Sequence, residues 1–205
     1  MEDNDRRIYT EDDMIKLEWQ EFDVAVDSIY SQLNDYLIQK HLNIDFIVPV
    51  MRGGAVLAIS LAHKLNVVPI FPCQYKYEYV DGKYTTSLLL STIDKIEDKN
   101  SKSVVLVIEG NHVTGATSQK CIDHIHSMLP NAIILYASVG RDYAHMKPLK
   151  NTETEFWGFL TNESEVLTLD ECKELKVKSK FVLYPWEILE EELYEINQHY
   201  DDEQV

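Results

Sequence analysis

The chain is 205 residues long, with 45% hydrophobic and 26% charged residues, a composition that suits one globular domain able to bury its own core. Its net charge of −16 excludes a uniformly basic nucleic-acid surface and disfavours binding to an anionic membrane. The cysteines are far apart and no apolar run reaches the length of a membrane span, so we expect a soluble, cytoplasmic protein with reduced thiols.

The hydrophobic pattern predicts alternating helices and strands in the first half of the chain. Thr10, followed by three acidic residues, resembles a helix N-cap. Residues 45–50 are typical of a buried strand, residues 55–65 of a helix of small residues, and residues 66–71 of another strand. An amphipathic helix precedes them, with apolar residues at spacings of three and four: Phe22, Val26, Ile29, Leu33 and Leu37.

The second half continues this alternation. Asp81-Gly82 lies between two aromatic, β-rich runs and predicts a hairpin over residues 75–90. The remaining segments are predicted as strands at 103–108, 131–137 and 181–184, a turn at 109–118, a helix at 119–129 and an irregular region at 141–180. Near-continuously apolar strands alternating with helices predict an α/β fold with a central, mainly parallel sheet, helices on both faces and a small hood or hairpin.

The C-terminal part of the chain is strongly acidic. From Glu187 to Val205 there are eight acidic residues and no lysine or arginine. Such a run predicts a solvated helix face and a frayed tail rather than an interaction tail. We therefore expect a single domain over residues 1–205, with an acidic C-terminal helix or tail at 188–205.

The loop at residues 109–118, called the phosphate loop below, is the main functional candidate. It joins a buried strand to a helix, and ligands of α/β sheets bind beyond the carboxyl ends of the strands. Backbone N–H groups at a helix N-terminus bind phosphate, and Thr114, Thr117 and Ser118 add hydroxyl donors. Neither a Walker A ending nor a GxGxxG pattern is present, so an ordinary glycine-containing turn with a Thr/Ser cap is the alternative.

A second candidate, called the glycine loop below, consists of Arg52, Gly53 and Gly54 at the end of the first strand. Glycines permit close approach of the backbone to a ligand, and an arginine can bind a phosphate through two parallel hydrogen bonds. Gly-Gly turns are common, so this signal is weak alone. Its position at a neighbouring strand's carboxyl end predicts that both loops face one ligand.

Four segments, residues 17–22, 45–54, 105–117 and 181–187, carry a family resemblance. Their order and spacing resemble the type I phosphoribosyltransferases, nearest the xanthine/guanine branch. The second segment is similar to the family's first strand and pyrophosphate loop, and the third to its phosphoribosyl-pyrophosphate loop. The first and last are similar to the opening helix and the base-binding segment of that branch.

The resemblance implies transfer of a phosphoribosyl group from phosphoribosyl pyrophosphate to a purine-like base, with release of pyrophosphate and with Mg²⁺ as cofactor. It implies that Arg52, with the backbone of Gly53 and Gly54, holds the pyrophosphate. Glu109 would bind the ribose hydroxyls and the metal. The ribose phosphate would lie against Val113, Thr114, Gly115, Ala116, Thr117 and Ser118.

The base would lie under the ring of Phe181, near the backbone of Val182 and the carboxylate of Glu187. The partners implied are phosphoribosyl pyrophosphate and a purine base or nucleotide, without nucleic acid or membrane. The family resemblance also implies a homo-oligomer, a dimer or a tetramer. The tyrosine-rich hairpin would be a mobile hood over the site, or simply an edge hairpin with aromatic cross-strand pairs.

The sequence departs from the family pattern at several positions. The family loop begins with two adjacent acids, but Gly110 follows Glu109 here, and Val113 replaces a further acid. Ser138 stands where the purine branch has a base-reading lysine, for which Arg141 or Lys147 could substitute. The missing acid at Gly110 supports one alternative, a protein that binds or senses a nucleotide without catalysis. Ser138 and the irregular region 141–180 support another, a transferase for a different acceptor.

His112 lies inside the phosphate loop. Because the pKa of histidine is near neutral, His112 could replace the lost carboxylate as a proton acceptor. The alternative is a solvated loop histidine.

Overall fold

A computed structural model describes residues 7–66, 69–80, 83–96 and 102–199. The helices are α1 (Trp19–Lys40), α2 (Gly54–Lys64), α3 (Ala116–Met128), α4 (Leu169–Leu175) and α5 (Leu189–His199). The strands are β1 (Met14–Lys16), β2 (Phe46–Met51), β3 (Cys73–Val80), β4 (Lys83–Ser91), β5 (Val104–His112), β6 (Ile133–Asp142), β7 (Thr154–Thr161) and β8 (Phe181–Leu183).

Six strands form the main sheet, in the order β4-β3-β2-β5-β6-β7. All neighbouring pairs are parallel except the hairpin β3–β4. The predicted Asp81-Gly82 turn of that hairpin lies outside the described residues. The parallel sheet with its covering helices confirms the predicted fold class.

The centre of the sheet is buried because helices cover it. Val105, Leu106, Val107 and Ile108 of β5 are fully buried. Helix α1 packs on β6 and β7, α2 on β2 and β5, and α3 on β5. Because both faces of β5 are covered, neither face needs polar side chains, which explains the continuous apolar run of this strand.

Helix α1 buries all five of its predicted apolar positions. Its N-cap is Glu18, whose N–H donates to Glu21 Oε2 at 3.1 Å. Thr10 caps a single 3₁₀ turn, Glu11–Asp13, instead, with its N–H donating to Asp13 Oδ2 at 2.9 Å. Strand β1 separates this turn from α1.

Two sequence predictions of secondary structure were wrong. In residues 66–71, of which 67 and 68 are outside the described part, only one isolated bridge from Ile70 to Ile47 is formed. Pro69 in this segment has no N–H to donate to a ladder. The region 141–180, predicted as irregular, contains β7 and α4.

A two-stranded parallel sheet, β1–β8, joins the N-terminal and C-terminal parts of the chain. Helix α5 packs beside it, and Asn197 of α5 exchanges two hydrogen bonds with the backbone of Tyr9, at 2.8 and 2.9 Å. Helix α5 lies within the segment 188–205 that was predicted as an acidic helix or tail, of which residues 200–205 are outside the described part. In the described ranges, no helix is both long and apolar enough to cross a membrane.

Candidate functional site

The phosphate loop is shorter than predicted, because β5 continues four residues beyond Ile108 to His112. Helix α3 begins at Ala116, so the true turn is residues 113–115. Gly115 is the N-cap of α3 with a φ of 74°, in the left-handed region that favours glycine. A Cβ there would lie 2.6 Å from His112 Cε1, so the position also requires the absence of a side chain.

The N-terminus of α3 borders a cavity of about 540 Å³. Thr114, Gly115 and Ala116 line one side, and Lys147 and Lys150 from the β6–β7 connection line the other. Backbone N–H groups, a threonine hydroxyl and two lysines are an arrangement suited to an anion.

Ser118 does not contribute its hydroxyl to this cavity. Its side chain is buried, with Oγ 3.1 Å from the hydroxyl of Tyr136. The predicted role of Ser118 as a side-chain donor to phosphate is therefore not supported. Of the three predicted hydroxyls, Thr114 lines the cavity, and the half-buried Thr117 is not among its lining residues.

His112 lies at the end of a strand and is buried, so the alternative of a solvated loop histidine was wrong. Its Nδ1 is 3.0 Å from the hydroxyl of Tyr136. Burial, with the positive charge of Arg141 as a second cause, lowers the pKa of His112 to about 4. The neutral imidazole of His112 packs against Gly115 and positions the turn. Because it is weakly basic, His112 is poorly suited to the predicted role of proton acceptor at neutral pH.

The glycine loop lies directly against the end of β5, so the two candidate loops meet. A Cβ on Gly54 would lie 2.2 Å from the carbonyl oxygen of Ile108. A Cβ on Gly110 would lie 2.8 Å from the carbonyl oxygen of Gly53. Arg52, joined to Met51 by a cis peptide bond, is exposed. Burial raises the pKa of Glu192 on α5, and the positive charge of Arg52 offsets part of that effect.

The same contact gives a physical reason for the missing second acid. The backbone of Gly53 occupies the space that any side chain at Gly110 would need. The remaining acid, Glu109, accepts a hydrogen bond from the N–H of Gly110 at 3.0 Å through Oε1. Burial of the carboxyl group raises the pKa of Glu109 to about 8, and hydrogen bonds from Gly110 and Ser118 offset only part of that effect.

The C-terminal segment reaches this site through Tyr184, not through Phe181. Phe181, whose ring was predicted to cover the base, is buried edge-on against Tyr9, with ring centroids 5.1 Å apart. The hydroxyl of Tyr184 donates to the carbonyl of Gly110 at 3.2 Å. Glu187 accepts from the N–H of Tyr184 at 2.8 Å, and burial raises the pKa of Glu187 to about 7.

Arg141 is fully buried and cannot replace a base-reading lysine. Its guanidinium pairs with Glu155 and donates to the carbonyls of His145 and Lys147 at 3.0 and 3.1 Å. It thereby fixes the β6–β7 connection, the segment that carries Lys147. Ser138, at the predicted position of that lysine, is fully buried beside β5.

A polar pair that the sequence did not reveal lies at the ends of β5 and β7. The side-chain amide of Asn111 donates to both carboxyl oxygens of Glu163, at 3.0 Å each. Burial raises the pKa of Glu163 to about 7 against the opposing effect of the Asn111 hydrogen bond. These residues are 52 positions apart, and no local pattern connects them.

Among the described residues, no group of three or more His, Cys, Asp or Glu side chains is arranged to hold a metal ion. Glu109 is the predicted metal ligand. Its Oε1 lies 3.1 Å from the position of a Cβ on Gly53, so the carboxyl group faces the glycine loop. The metal role of Glu109 stays a prediction.

A family model described as the phosphoribosyl transferase domain matches residues 17–165 of the chain. The protein belongs to this family. The match includes the glycine loop, the phosphate loop and the Asn111–Glu163 pair, whereas the segment 181–187 lies beyond it. No curated protein sequence matches the chain.

Solved structures support the same fold. A purine phosphoribosyltransferase from Pyrococcus horikoshii Ot3 is 17% identical, with 86% of this chain and 95% of that chain covered and a TM-score of 0.62. A Helicobacter pylori xanthine-guanine-hypoxanthine phosphoribosyltransferase is 12% identical, with coverage of 89% and 99% and a TM-score of 0.60. A hypothetical protein from Neisseria gonorrhoeae with bound ppGpp is 15% identical, with coverage of 91% and 97% and a TM-score of 0.65. The predicted type I phosphoribosyltransferase fold is confirmed.

Proposed function

We propose that this phosphoribosyltransferase-family protein transfers a phosphoribosyl group from phosphoribosyl pyrophosphate to a purine-like base and releases pyrophosphate. The observation that carries the proposal is the contact between the two loops, where Gly53 packs on Gly110 at the end of β5. A phosphate at the N-terminus of α3 and a pyrophosphate at the glycine loop would then belong to one ligand. Family membership supports the reaction class.

In this reaction the bond from ribose C1 to the pyrophosphate oxygen breaks, a bond from C1 to a base nitrogen forms, and that nitrogen loses its proton. The first turn of α3 and the hydroxyl of Thr114 would hold the 5′-phosphate. Arg52 and the backbone of Gly53 and Gly54 would stabilise the charge gained by the leaving pyrophosphate. Positioning and electrostatics would supply most of the rate enhancement.

Magnesium is the cofactor expected for this transfer, and Glu109 is the side chain that would hold it. Because Mg²⁺ typically takes one or two carboxylates and completes its shell with substrate phosphates and water, one glutamate suits this role. The bound ion would offset the negative charge of the pyrophosphate. A nearby cation would also favour the ionised form of Glu109, which burial disfavours by raising its pKa to about 8.

The direct test is pyrophosphate release by the purified protein with magnesium and a panel of purine bases. The site assignment is tested by Thr114→Ala combined with Thr117→Ala. We expect this variant to stay folded and to bind a nucleoside 5′-monophosphate about tenfold more weakly, since hydrogen bonds to a charged group are lost. Ser127→Ala, which removes a hydroxyl at the other end of α3, is the matched control.

Calorimetric titration with a nucleoside 5′-monophosphate measures the affinity of the wild type, the double variant and the control. Equal affinity in the double variant and the wild type would reject the phosphate assignment, and no release with any base would reject the transferase proposal.

The geometry at Gly110 favours a second candidate function, a protein that binds or senses a nucleotide without transfer. The position has no room for a second acid, and the pKa of about 8 keeps Glu109 largely protonated at neutral pH. One structural neighbour holds ppGpp, a nucleotide with two pyrophosphate groups. Tight binding of ppGpp or a nucleoside monophosphate, together with absence of pyrophosphate release, would support this candidate over the first.

A further inference from the structure

Three buried polar side chains form a hydrogen-bonded group behind the phosphate loop, called the tyrosine cluster below: Tyr136, His112 and Ser118. Tyr136 lies on β6 and is fully buried. Its hydroxyl is 3.0 Å from His112 Nδ1 and 3.1 Å from Ser118 Oγ. Because a tyrosine hydroxyl can donate one hydrogen bond and accept another, a single group serves both partners.

The two partners of Tyr136 lie on either side of the turn. His112 is the last residue of β5, and Ser118 is the third residue of α3. The chain between them carries the backbone N–H groups that are proposed to hold the 5′-phosphate. The imidazole of His112 also packs against the turn itself, since a Cβ on Gly115 would lie 2.7 Å from Nε2. The Tyr136 hydroxyl therefore joins both ends of the segment that binds the phosphate.

The tyrosine cluster is not placed to touch a ligand. All three side chains are buried, and none of them lines the cavity at the N-terminus of α3. The neighbours of Tyr136 on β6, Leu135 and Ala137, are fully buried and apolar. A phenylalanine would fill the same place in this strand, so the contribution particular to tyrosine is the hydroxyl with its two hydrogen bonds. Any effect of the tyrosine cluster on a ligand passes through the backbone of the turn.

We propose that Tyr136 is a positioning residue, whose hydroxyl holds the turn in the conformation that binds a 5′-phosphate. This inference rests on the proposed function, which places the 5′-phosphate at the first turn of α3. If only a fraction of the molecules has the binding conformation, the apparent affinity falls by that fraction. By keeping the fraction high, the Tyr136 hydroxyl raises the affinity for every ligand with a 5′-phosphate.

The test uses Tyr136→Phe, which removes the hydroxyl and keeps the ring. Ribose 5-phosphate and inorganic pyrophosphate are titrated separately in a calorimeter. We expect ribose 5-phosphate to bind about fivefold or more weakly, because the turn is no longer held at both ends. Pyrophosphate affinity should change less than about twofold, since the glycine loop keeps its packing. Equal weakening of both ligands, or unchanged affinity for ribose 5-phosphate, would overturn the inference.

Amide hydrogen exchange reports the position of the turn without any ligand. In Tyr136→Phe we expect the N–H groups of residues 113–118 to exchange about tenfold faster, while those of α1 keep the wild-type rate. Wild-type protection of the turn would contradict the proposed role. Tyr36→Phe is the matched control, because it removes a hydroxyl that donates to Glu153 at 3.2 Å, away from the phosphate loop. It should leave both affinities and the exchange of the turn unchanged.

Ser118→Ala tests the same inference if Tyr136→Phe does not fold. It removes one partner of the tyrosine hydroxyl and leaves the contact between Tyr136 and His112. We expect ribose 5-phosphate to bind about twofold or more weakly, with faster exchange of the turn and unchanged pyrophosphate affinity. Wild-type affinity for ribose 5-phosphate in this variant would also overturn the inference.

The failure of this inference differs from the failure of the proposed function. Pyrophosphate release judges the transferase reaction, and Thr114→Ala with Thr117→Ala judges the phosphate site. If that double variant binds weakly while folded Tyr136→Phe binds like the wild type, the phosphate site is supported and the role of Tyr136 is rejected. If Tyr136→Phe loses only ribose 5-phosphate affinity and the wild type releases no pyrophosphate, Tyr136 positions the turn in a nucleotide-binding protein.

Discussion

At the scale of single residues, Gly110 requires the absence of a side chain. Its missing side chain leaves room for the backbone of Gly53. We expect Gly110→Ala to lower the free energy of unfolding by about 1–3 kcal/mol, as overpacking typically does. Gly110→Asp should cost more, because it also adds an acid next to the buried carboxyl of Glu109.

Urea denaturation measures this effect, with Gly53→Ala as the matched control. A Cβ at Gly53 would lie 3.1 Å from the Glu109 side chain, which can shift, and 3.5 Å from the nearest backbone atom. The control should therefore cost less than half as much. If Gly110→Ala is as stable as the wild type, the close packing of the two loops is refuted.

Arg52 permits a prediction about the leaving group. We expect Arg52→Ala to weaken binding of phosphoribosyl pyrophosphate roughly tenfold or more, because a charged hydrogen-bond donor is lost. Binding of a nucleoside monophosphate, which has no group in the pyrophosphate position, should change less than about twofold. Lys102→Ala, which removes the same charge before the start of β5, is the control in calorimetric titrations. Equal weakening of both ligands would show that Arg52 does not contact the pyrophosphate.

Sequence reasoning at this scale was accurate for local features and inaccurate for distant contacts. The glycine loop and the phosphate loop were identified because strand, turn and helix follow one another in the chain. The packing of Gly53 on Gly110 and the pairing of Asn111 with Glu163 depend on residues far apart in sequence. Ser118 was misassigned because a hydroxyl at a helix start points to solvent or to the core depending on tertiary packing.

At the scale of elements, the β6–β7 connection depends on Arg141. Its buried guanidinium pairs with Glu155 and holds two carbonyls of the connection. We expect Arg141→Met to lower the free energy of unfolding by about 3–5 kcal/mol, because Glu155 is left as an uncompensated buried charge. Affinity for a 5′-phosphate should fall as well, since Lys147 and Lys150 lie on the released segment.

The double variant Arg141→Met/Glu155→Gln separates charge from packing. Removing the unpaired negative charge of Glu155 should recover part of the free energy of unfolding that Arg141→Met loses. Urea denaturation of both variants measures this difference. Phosphate affinity should stay low, because the carbonyls of His145 and Lys147 remain without their donor. A double variant no more stable than Arg141→Met would exclude the charge explanation.

Elements with a clear hydrophobic pattern were predicted well, and elements without one were not. Helix α1 was found through its spacing of apolar residues, and β5 through its unbroken apolar run. Strand β7 was missed because it lies at the edge of the sheet, where its burial shows no regular alternation. Residues 66–71 were overpredicted because their apolar composition outweighed the missing N–H of Pro69.

At the scale of the whole molecule, buried carboxyl groups should make stability depend on pH. The folded-state pKa is raised to about 8 for Glu109 and to about 7 for Glu163 and Glu187. Between about pH 4.5 and its folded-state pKa, each carboxyl group is more often protonated in the folded protein than in the unfolded chain. The free energy of unfolding therefore falls as the pH rises through this range. His112, with its pKa lowered to about 4, acts in the opposite direction below about pH 6.5.

With three glutamates against one histidine, we expect the free energy of unfolding to fall by at least about 2 kcal/mol between pH 5.5 and pH 8. The net charge of −16 acts in the same direction through self-repulsion. Urea denaturation at both pH values measures the change, and Glu109→Gln should reduce it. Stability that rises towards pH 8 would show that these carboxyl groups are ionised in the folded protein.

The packing of Gly53 on Gly110 also limits which evolutionary changes are open to this sequence. An acid at position 110 becomes acceptable only after the glycine loop has moved, and Gly54 holds that loop against the carbonyl of Ile108. A single substitution of Gly110 by an acid therefore carries a stability penalty, and at least one further change is needed to relieve it.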